Sequence, residues 1–520
     1  MSDPLAPAEV VISGAPLTPA EVVALAHRRS RPVLAPTVVE RMAPARRVVE
    51  EAVAGDEVVY GITTGFGALS GTRVSREEAA ALQVNLLRSH AAGVGPPLPD
   101  ELVRAMLALR ARTLAQGHSG VRVEIVARLI EMLDLDLLPV VPSQGSVGAS
   151  GDLAPFAHLA LPLIGEGFVK VDGVPVPAAE ALRKKSLAPL VLRAKEGLSL
   201  LNGTEGMLAM AVLALDRARR LARAADLACG LSVEALLGSS RPFRPEVHAL
   251  RPHPGQIESA RRIAGVIEGS NIVASHAHDF DHAVQDAYSL RCAPQVHGAV
   301  LDTLAHVENV LERELGAVVD NPIVFPETGE VVSAGNFHGQ PLAFALDFMA
   351  IGVTELGSIS ERRTDRILDP QHSAGLPAFL AARPGVNSGY MIAQYTAAAL
   401  VAENRVLAHP ASVESIPTSG SQEDHVSMGW GAGRKLFPIL DNTARVVAIE
   451  LICAAQGLEY RRPLQPGPVA ARIREAIRGL VPPLTEDRSV GAEIEAVANF
   501  IEAGGLDAMS GQAPETGKTL

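Results

Sequence analysis

Residues 198–237 restrict this chain more than any other stretch, because their first half is apolar nearly all the way round a 3.6-residue period. A helix of that kind has no face to show to water and belongs inside a bundle. Other segments carry the same period. Val121, Ile125, Leu129 and Leu133 recur on one stripe, with Arg122, Arg128 and Glu131 on the other faces. Residues 391–408 are Ala-rich and stop before Pro410, and residues 443–456 form another apolar helix that Gly457 is expected to end. Aromatic residues make up only 3% of the 520, so the core must be Ala, Leu, Val and Ile, which suits close helix packing. The expected fold is mainly α, a long central helical bundle with a smaller mixed N-terminal region and a C-terminal helical cap.

Strand signals are few. Residues 168–171, then Asp172-Gly173, then Val174 read as a hairpin with a primed turn, and residues 323–332 as a second turning at Thr328-Gly329. Residues 58–62 suggest one short strand. The expected division is residues 1–200, 201–460 and 461–520. Polar, Gly-rich stretches interrupt the helical runs at 60–67, 143–152, 202–206, 285–295, 335–339 and 419–429. That is more irregular chain than connections need, and loops on a rigid scaffold are where sites sit.

Bulk properties exclude several functions. Net charge is −12, with no long basic run, which argues against nucleic acid or an anionic membrane as partner. Arg217, Arg219, Arg220 and Arg223 cluster, but beside Asp216 and Asp226 they read as a solvated helix face. Cys229, Cys292 and Cys453 are too far apart for a disulfide framework or a metal knuckle. The start has no signal-peptide pattern, and the longest apolar run, 206–215, is too short to span a bilayer. A cytoplasmic location is expected. His276, His278 and His282, with Asp279 and Asp281, could hold a metal, but read better as an exposed polar connector, so no metal is expected.

The chemistry centres on Ser143-Gln-Gly-Ser-Val-Gly-Ala-Ser-Gly-Asp-Leu-Ala-Pro155. As a plain turn it would lead into a helix capped by Asp152. A tight bend allows more. The Gly151 nitrogen can attack the Ala149 carbonyl, and loss of one water closes a five-membered ring. Loss of a second from Ser150 leaves an exocyclic methylidene. Glycine has no Cβ to block the approach, and serine supplies the hydroxyl that leaves. The product is an electrophile that no ordinary side chain provides.

With these residues the chain resembles the ammonia-lyases that build a methylidene-imidazolone group from Ala-Ser-Gly. The resemblance is carried in order by Tyr60-Gly-Ile-Thr-Thr-Gly-Phe-Gly67, Gly145-Ser-Val-Gly-Ala-Ser-Gly-Asp-Leu-Ala-Pro155, Leu201-Asn-Gly-Thr204, Gln285-Asp-Ala-Tyr-Ser-Leu-Arg291, Asp320-Asn-Pro322, Gly335-Asn-Phe-His338 and Asn387-Ser-Gly389. Ser89-His90 and Gln422-Glu-Asp-His-Val-Ser-Met428 resemble the histidine branch. The tyrosine branch usually has His-Leu at the first pair, and the phenylalanine branch Phe-Leu.

The resemblance implies elimination of ammonia from L-histidine to give trans-urocanate, with the group formed from Ala149, Ser150 and Gly151 and no external cofactor. It implies Tyr60 as general base and Arg291 as a two-pronged holder of the substrate carboxylate. Asn202, Gln285 and Tyr288 would hydrogen-bond the group and the amine, and Phe337 would pack near it. Ser89 marks the substrate branch, while His90 and Glu423 would orient the imidazole, Glu423 also helping to move the β-proton. Glu423 as a helix cap near Ser427 is the structural alternative. His338, Asp424 and His425 read as structural. The alternatives in activity are a tyrosine or phenylalanine ammonia-lyase, an aromatic aminomutase, or a non-catalytic helical scaffold. The family's sites are shared among subunits of a homotetramer, which the resemblance implies here.

Overall fold

The computed structural model describes residues 8–55, 59, 61, 62, 64, 65, 67, 74, 75, 78–277 and 284–510. It is mainly α, as expected. The chain divides into two compact units, each discontinuous in sequence. The first comprises Met1–Leu213, Glu308–Asp347 and Pro410–Arg434, and the second Ala214–Val307, Phe348–His409 and Lys435–Leu520.

In the first unit the apolar stripe around residue 125 folds as the helix Val123–Asp134, burying Ile125, Val126, Leu129, Ile130, Met132 and Leu133. Each such side chain contributes about 1.5–3 kcal/mol when taken fully from water. The helix Asp100–Leu114 is buried nearly throughout, including Arg104, Arg110 and Arg112. Both expected hairpins form. Phe168–Val171 pairs antiparallel with Val174–Pro177, and Asp172 and Gly173 turn at φ +50° and +79°. Ile323–Phe325 pairs with Glu330–Val332. Glu9–Ile12 and Arg31–Leu34 add a parallel pair that the alternation of residues does not announce. Of the expected strand at 58–62, Val58 and Tyr60 lie outside the described residues, and Gly61 and Ile62 are in a turn.

The apolar stretch 198–237 folds as two helices, Glu196–Leu201 and Glu205–Ala235, parted at Asn202-Gly203-Thr204. The helix expected over 443–456 is longer, Gly429–Glu459, and runs through Gly457. That glycine is used for close packing: a Cβ there would lie 3.0 Å from the Ala235 Cβ. Met391–Leu407 matches its expected span.

In the second unit, charge is buried deliberately. Arg363 donates to Glu450 at 2.5 and 2.8 Å, and Ser232 and Ser360 donate to the same carboxylate. His297 pairs with Asp226 at 2.8 Å, both fully buried. The arginine cluster at 217–223 is not a solvated face. Arg217 binds Glu502 and Asp441, Arg220 binds Asp216, and Arg223 binds Asp507, all partly covered. The helix Gln340–Leu368 is long and apolar enough to cross a membrane by length and composition, but its most apolar window is 72% buried within the protein, as in a core helix.

Candidate active site

The Ala149-Ser150-Gly151 turn is tight and firmly tied. Gly145, Gly148, Ser150 and Gly151 all have positive φ, at +137°, +76°, +49° and +80°. Three are glycines, for which this is cheap. Ser150 is not, and a left-handed non-glycine costs roughly 1–2 kcal/mol, which persists only where neighbours over-determine it. They do so here. Gly151 bridges Gly203, and the Asp152 N–H donates to the Gly203 carbonyl at 2.8 Å. The Met428 N–H donates to the Val147 carbonyl at 2.9 Å, and the buried Trp430 indole to the Ser143 carbonyl at 2.9 Å. A Cβ on residue 151 would overlap the Gly203 carbonyl. Glycine is therefore required at the position whose nitrogen would close the ring.

Asp152 does not cap its own helix, Leu153–Ala160. Its carboxyl accepts from the Met207 N–H at 2.9 Å, at the start of Glu205–Ala235. Burial pushes this acid up to about 8, and nearby Glu205 adds to the shift. It is thus mostly protonated at neutral pH. Glu205 itself is held by buried Arg110 at 2.7 Å.

Asn202 is fixed through a buried relay. Lys195 binds Asp320 at 2.9 Å, Asp320 accepts the Asn321 N–H at 2.7 Å, and the Asn321 carbonyl accepts the Asn202 amide at 2.8 Å. The Asn202 Oδ1 is buried with no hydrogen-bond partner among the described residues. An unpaired buried acceptor beside a strained turn is expected where a ligand or prosthetic group completes the hydrogen bonding. This acceptor, the room that Gly151 leaves and the bent backbone together fit a group built from residues 149–151.

Glu423 reaches the same turn. The Ser150 hydroxyl donates to Glu423 Oε1 at 3.4 Å, and the Thr418 hydroxyl to Oε2 at 2.9 Å. These two hydroxyls, rather than the start of the helix Gly429–Glu459 beyond Ser427, are the side-chain partners of Glu423 among the described residues. His90 ends the helix Ala79–His90, with Nδ1 3.0 Å from the Leu86 carbonyl. A carbonyl can only accept, so Nδ1 carries the proton and Nε2 remains an acceptor. Burial lowers the pKa of His90, outweighing its hydrogen bond to Leu86 and the Glu423 charge, so the ring is neutral at pH 7. Ser89 spends its hydroxyl on the Leu86 carbonyl at 3.2 Å.

Phe337 is half-buried in the 335–339 loop. His338 stacks on His425 with centroids 5.9 Å apart and donates to the His425 carbonyl at 3.2 Å, tying that loop to the one carrying Glu423. Gln285, Tyr288 and Arg291 fall in the second unit. There the Arg291 guanidinium lies 4.7 Å over the Tyr288 ring, while Gln285 and Tyr288 are exposed. Tyr60 lies outside the described residues. So do His278, Asp279, Asp281 and His282, while His276 contacts the Gly238 carbonyl at 3.2 Å.

The first unit therefore brings together Ala149, Ser150, Gly151, Asn202 and Glu423. Sequence reasoning assigns no site role to Asn321 or Thr418 and reads Asp152 only as a cap. The Asp320-Asn-Pro322 motif was the one available signal for Asn321. Thr418 has none beyond a run of small polar residues.

The chain is similar to known proteins over most of its length. The aromatic amino acid lyase family model matches residues 17–479. Histidine ammonia-lyase of Gloeobacter violaceus is 53% identical over 497 residues, covering 96% of each chain. The structure of histidine ammonia-lyase from Trypanosoma cruzi superposes with a TM-score of 0.89 at 42% identity, covering 98% of this chain and 96% of that one. Tyrosine aminomutase from Streptomyces globisporus gives 0.92 at 39% identity, covering 98% and 99%.

Proposed function

Because the chain belongs to the aromatic amino acid lyase family, we propose that it is a carbon–nitrogen lyase that eliminates ammonia from L-histidine, giving trans-urocanate in histidine breakdown. The observation that carries the substrate reading is the Glu423 carboxylate against Ser150, with a neutral His90 whose ring also feels the Glu423 charge. Glu423 is half-buried at the turn, where an imidazole N–H can donate to its carboxylate and a phenyl ring offers no donor.

Ring closure of Ala149-Ser150-Gly151 would supply an electrophile able to activate the amino acid for loss of ammonia. The chain's own side chains then bind and move protons. Asn202, through its Oδ1, and Gln285 and Tyr288 would hold the amine and the group. Phe337 would wall the site, and Arg291 would pair the substrate carboxylate in two-pronged fashion. His90, next to Ser89, and Glu423 would orient the imidazole, and Tyr60 would take the β-proton. A homotetramer with shared sites is part of this reading. In its support, the second unit leaves the apolar side chains of Phe348, Ile351, Ile392 and Tyr395 exposed, and another copy would cover them. Three free cysteines suit a reducing, cytoplasmic setting.

A substrate panel tests the reading. L-Histidine, L-tyrosine and L-phenylalanine are offered separately, and the absorbance of the unsaturated acid is followed. Turnover confined to L-tyrosine, or formation of a β-amino acid, would refute it. Intact-chain mass spectrometry should show the loss of two waters relative to the encoded sequence, and Ser150→Ala should abolish both that loss and turnover.

A further inference from the structure

We propose that Thr418 is the positioning residue for Glu423, its hydroxyl holding one carboxylate oxygen so that the other is presented at the Ala149-Ser150-Gly151 turn. This rests on the reading of Glu423 as an active-site carboxylate and deepens it.

The geometry is a closed loop. The Thr418 N–H donates to the Glu423 carbonyl at 2.8 Å and the Glu423 N–H returns to the Thr418 carbonyl at 3.3 Å, an isolated antiparallel bridge. Across this bridge the Thr418 Oγ1 sits 2.9 Å from Glu423 Oε2, while Oε1 is the oxygen that meets the Ser150 hydroxyl. The two ends of one six-residue loop thus fix both the backbone and the carboxylate of Glu423.

The loop keeps this shape against local preference. Ser419, Gly420 and Ser421 are successively left-handed, at φ +50°, +61° and +66°. Two of the three carry side chains that disfavour this region, and strain of this kind gathers where a side chain must be aimed. A neighbour is also shaped to the loop: a Cβ on Gly67 would overlap the Ser419 hydroxyl, and would come 4.0 Å from Glu423 Oε1. An unrestrained glutamate rotates about its last bond and exchanges its oxygens. A hydrogen bond to Oε2 opposes that exchange. A hydroxyl donor does this without adding charge, so the carboxylate keeps its full charge for the substrate.

The experiment uses the full-length enzyme with L-histidine and four variants: Thr418→Val, Thr418→Ser, Glu423→Gln and the Thr418→Val/Glu423→Gln pair. Thr418→Val keeps shape and removes the donor. It should lower kcat roughly tenfold, the loss expected of one hydrogen bond to a charged group, with KM within about twofold. Thr418→Ser should restore kcat. In the Glu423→Gln background, Thr418→Val should cost nothing further, because its effect passes through the carboxylate. Intact mass should show both waters lost in every variant, and thermal midpoints should agree within a few degrees, so that the kinetic change is not a maturation or folding defect. Unchanged kcat in Thr418→Val alongside a severe Glu423→Gln defect would overturn the positioning role alone. So would a Thr418→Val penalty that adds in full to that of Glu423→Gln, or a Thr418→Ser variant as slow as Thr418→Val. Normal turnover by Glu423→Gln would instead overturn the histidine reading itself.

Discussion

Gly151→Ala isolates what the strained turn does for maturation. Residue 151 sits at φ +80°, and a side chain there costs roughly 1–2 kcal/mol from handedness alone. The new methyl would overlap the Gly203 carbonyl oxygen and lie 3.0 Å from the Gly203 Cα. Those atoms are backbone, so the overlap is relieved only by parting residues 151 and 203. Parting them gives up the 2.8 Å bond from Asp152 N–H to Gly203, worth about 1 kcal/mol net. The sum, about 2–3 kcal/mol, is too local to unfold the bundle but enough to open the turn. Attack of the 151 nitrogen on the Ala149 carbonyl needs the two atoms within about 3–3.5 Å, and a misplacement near 1 Å costs on the order of 10²-fold in rate. The assay is a time course of intact mass after synthesis, with circular dichroism as a check on helix content. Most of the Gly151→Ala chain should retain both waters while wild type has lost them. Gly173→Ala is the control: its φ is +79° and a Cβ there meets no described residue within 4 Å, so it carries the strain without the overlap and should mature normally. Loss of both waters by Gly151→Ala at the wild-type rate would refute the reasoning.

Three further outcomes are expected. The raised pKa of Asp152, about 8 against an ordinary 3.8, means the folded protein holds a proton that the unfolded chain gives up; this contribution is present below pH about 4 and is lost as pH rises through 8. Asp152→Asn should therefore lose less thermal stability than wild type between pH 5 and about 8, and parallel melting curves would count against the assignment. Lys195→Met strands the fully buried Asp320 carboxylate and should destabilise by about 3–5 kcal/mol, with Lys195→Met/Asp320→Leu recovering much of it in chemical denaturation. Replacing Ser89-His90 by His-Leu removes the ring that donates to Leu86 and should weaken L-histidine turnover while admitting L-tyrosine, as read by product absorbance.

What the sequence determined by itself is local. Helices read from the apolar stripe of residues 121–133 and from the Ala-rich 391–408 stretch appear near their expected bounds, because a 3.6-residue period is written into neighbouring residues. The Asp172-Gly173 turn and the tight bend at Ala149-Ser150-Gly151 were legible for the same reason, since small residues at adjacent positions dictate what the backbone can do. Tertiary structure decided whatever depends on a distant partner. Arg217 and Arg223 read as solvated until Glu502 and Asp507, almost 300 positions away, cover them. Gly457 read as a helix stop, but the close approach of Ala235 makes it a packing position inside a 31-residue helix. The family motifs could nominate Glu423, but its contact with a serine 273 positions earlier, and the threonine that holds its other oxygen, follow only from the folded loops. Hydrogen bonds and ion pairs act over a few ångströms of space, and composition carries no record of which remote segments the packing of long helices will bring within that reach.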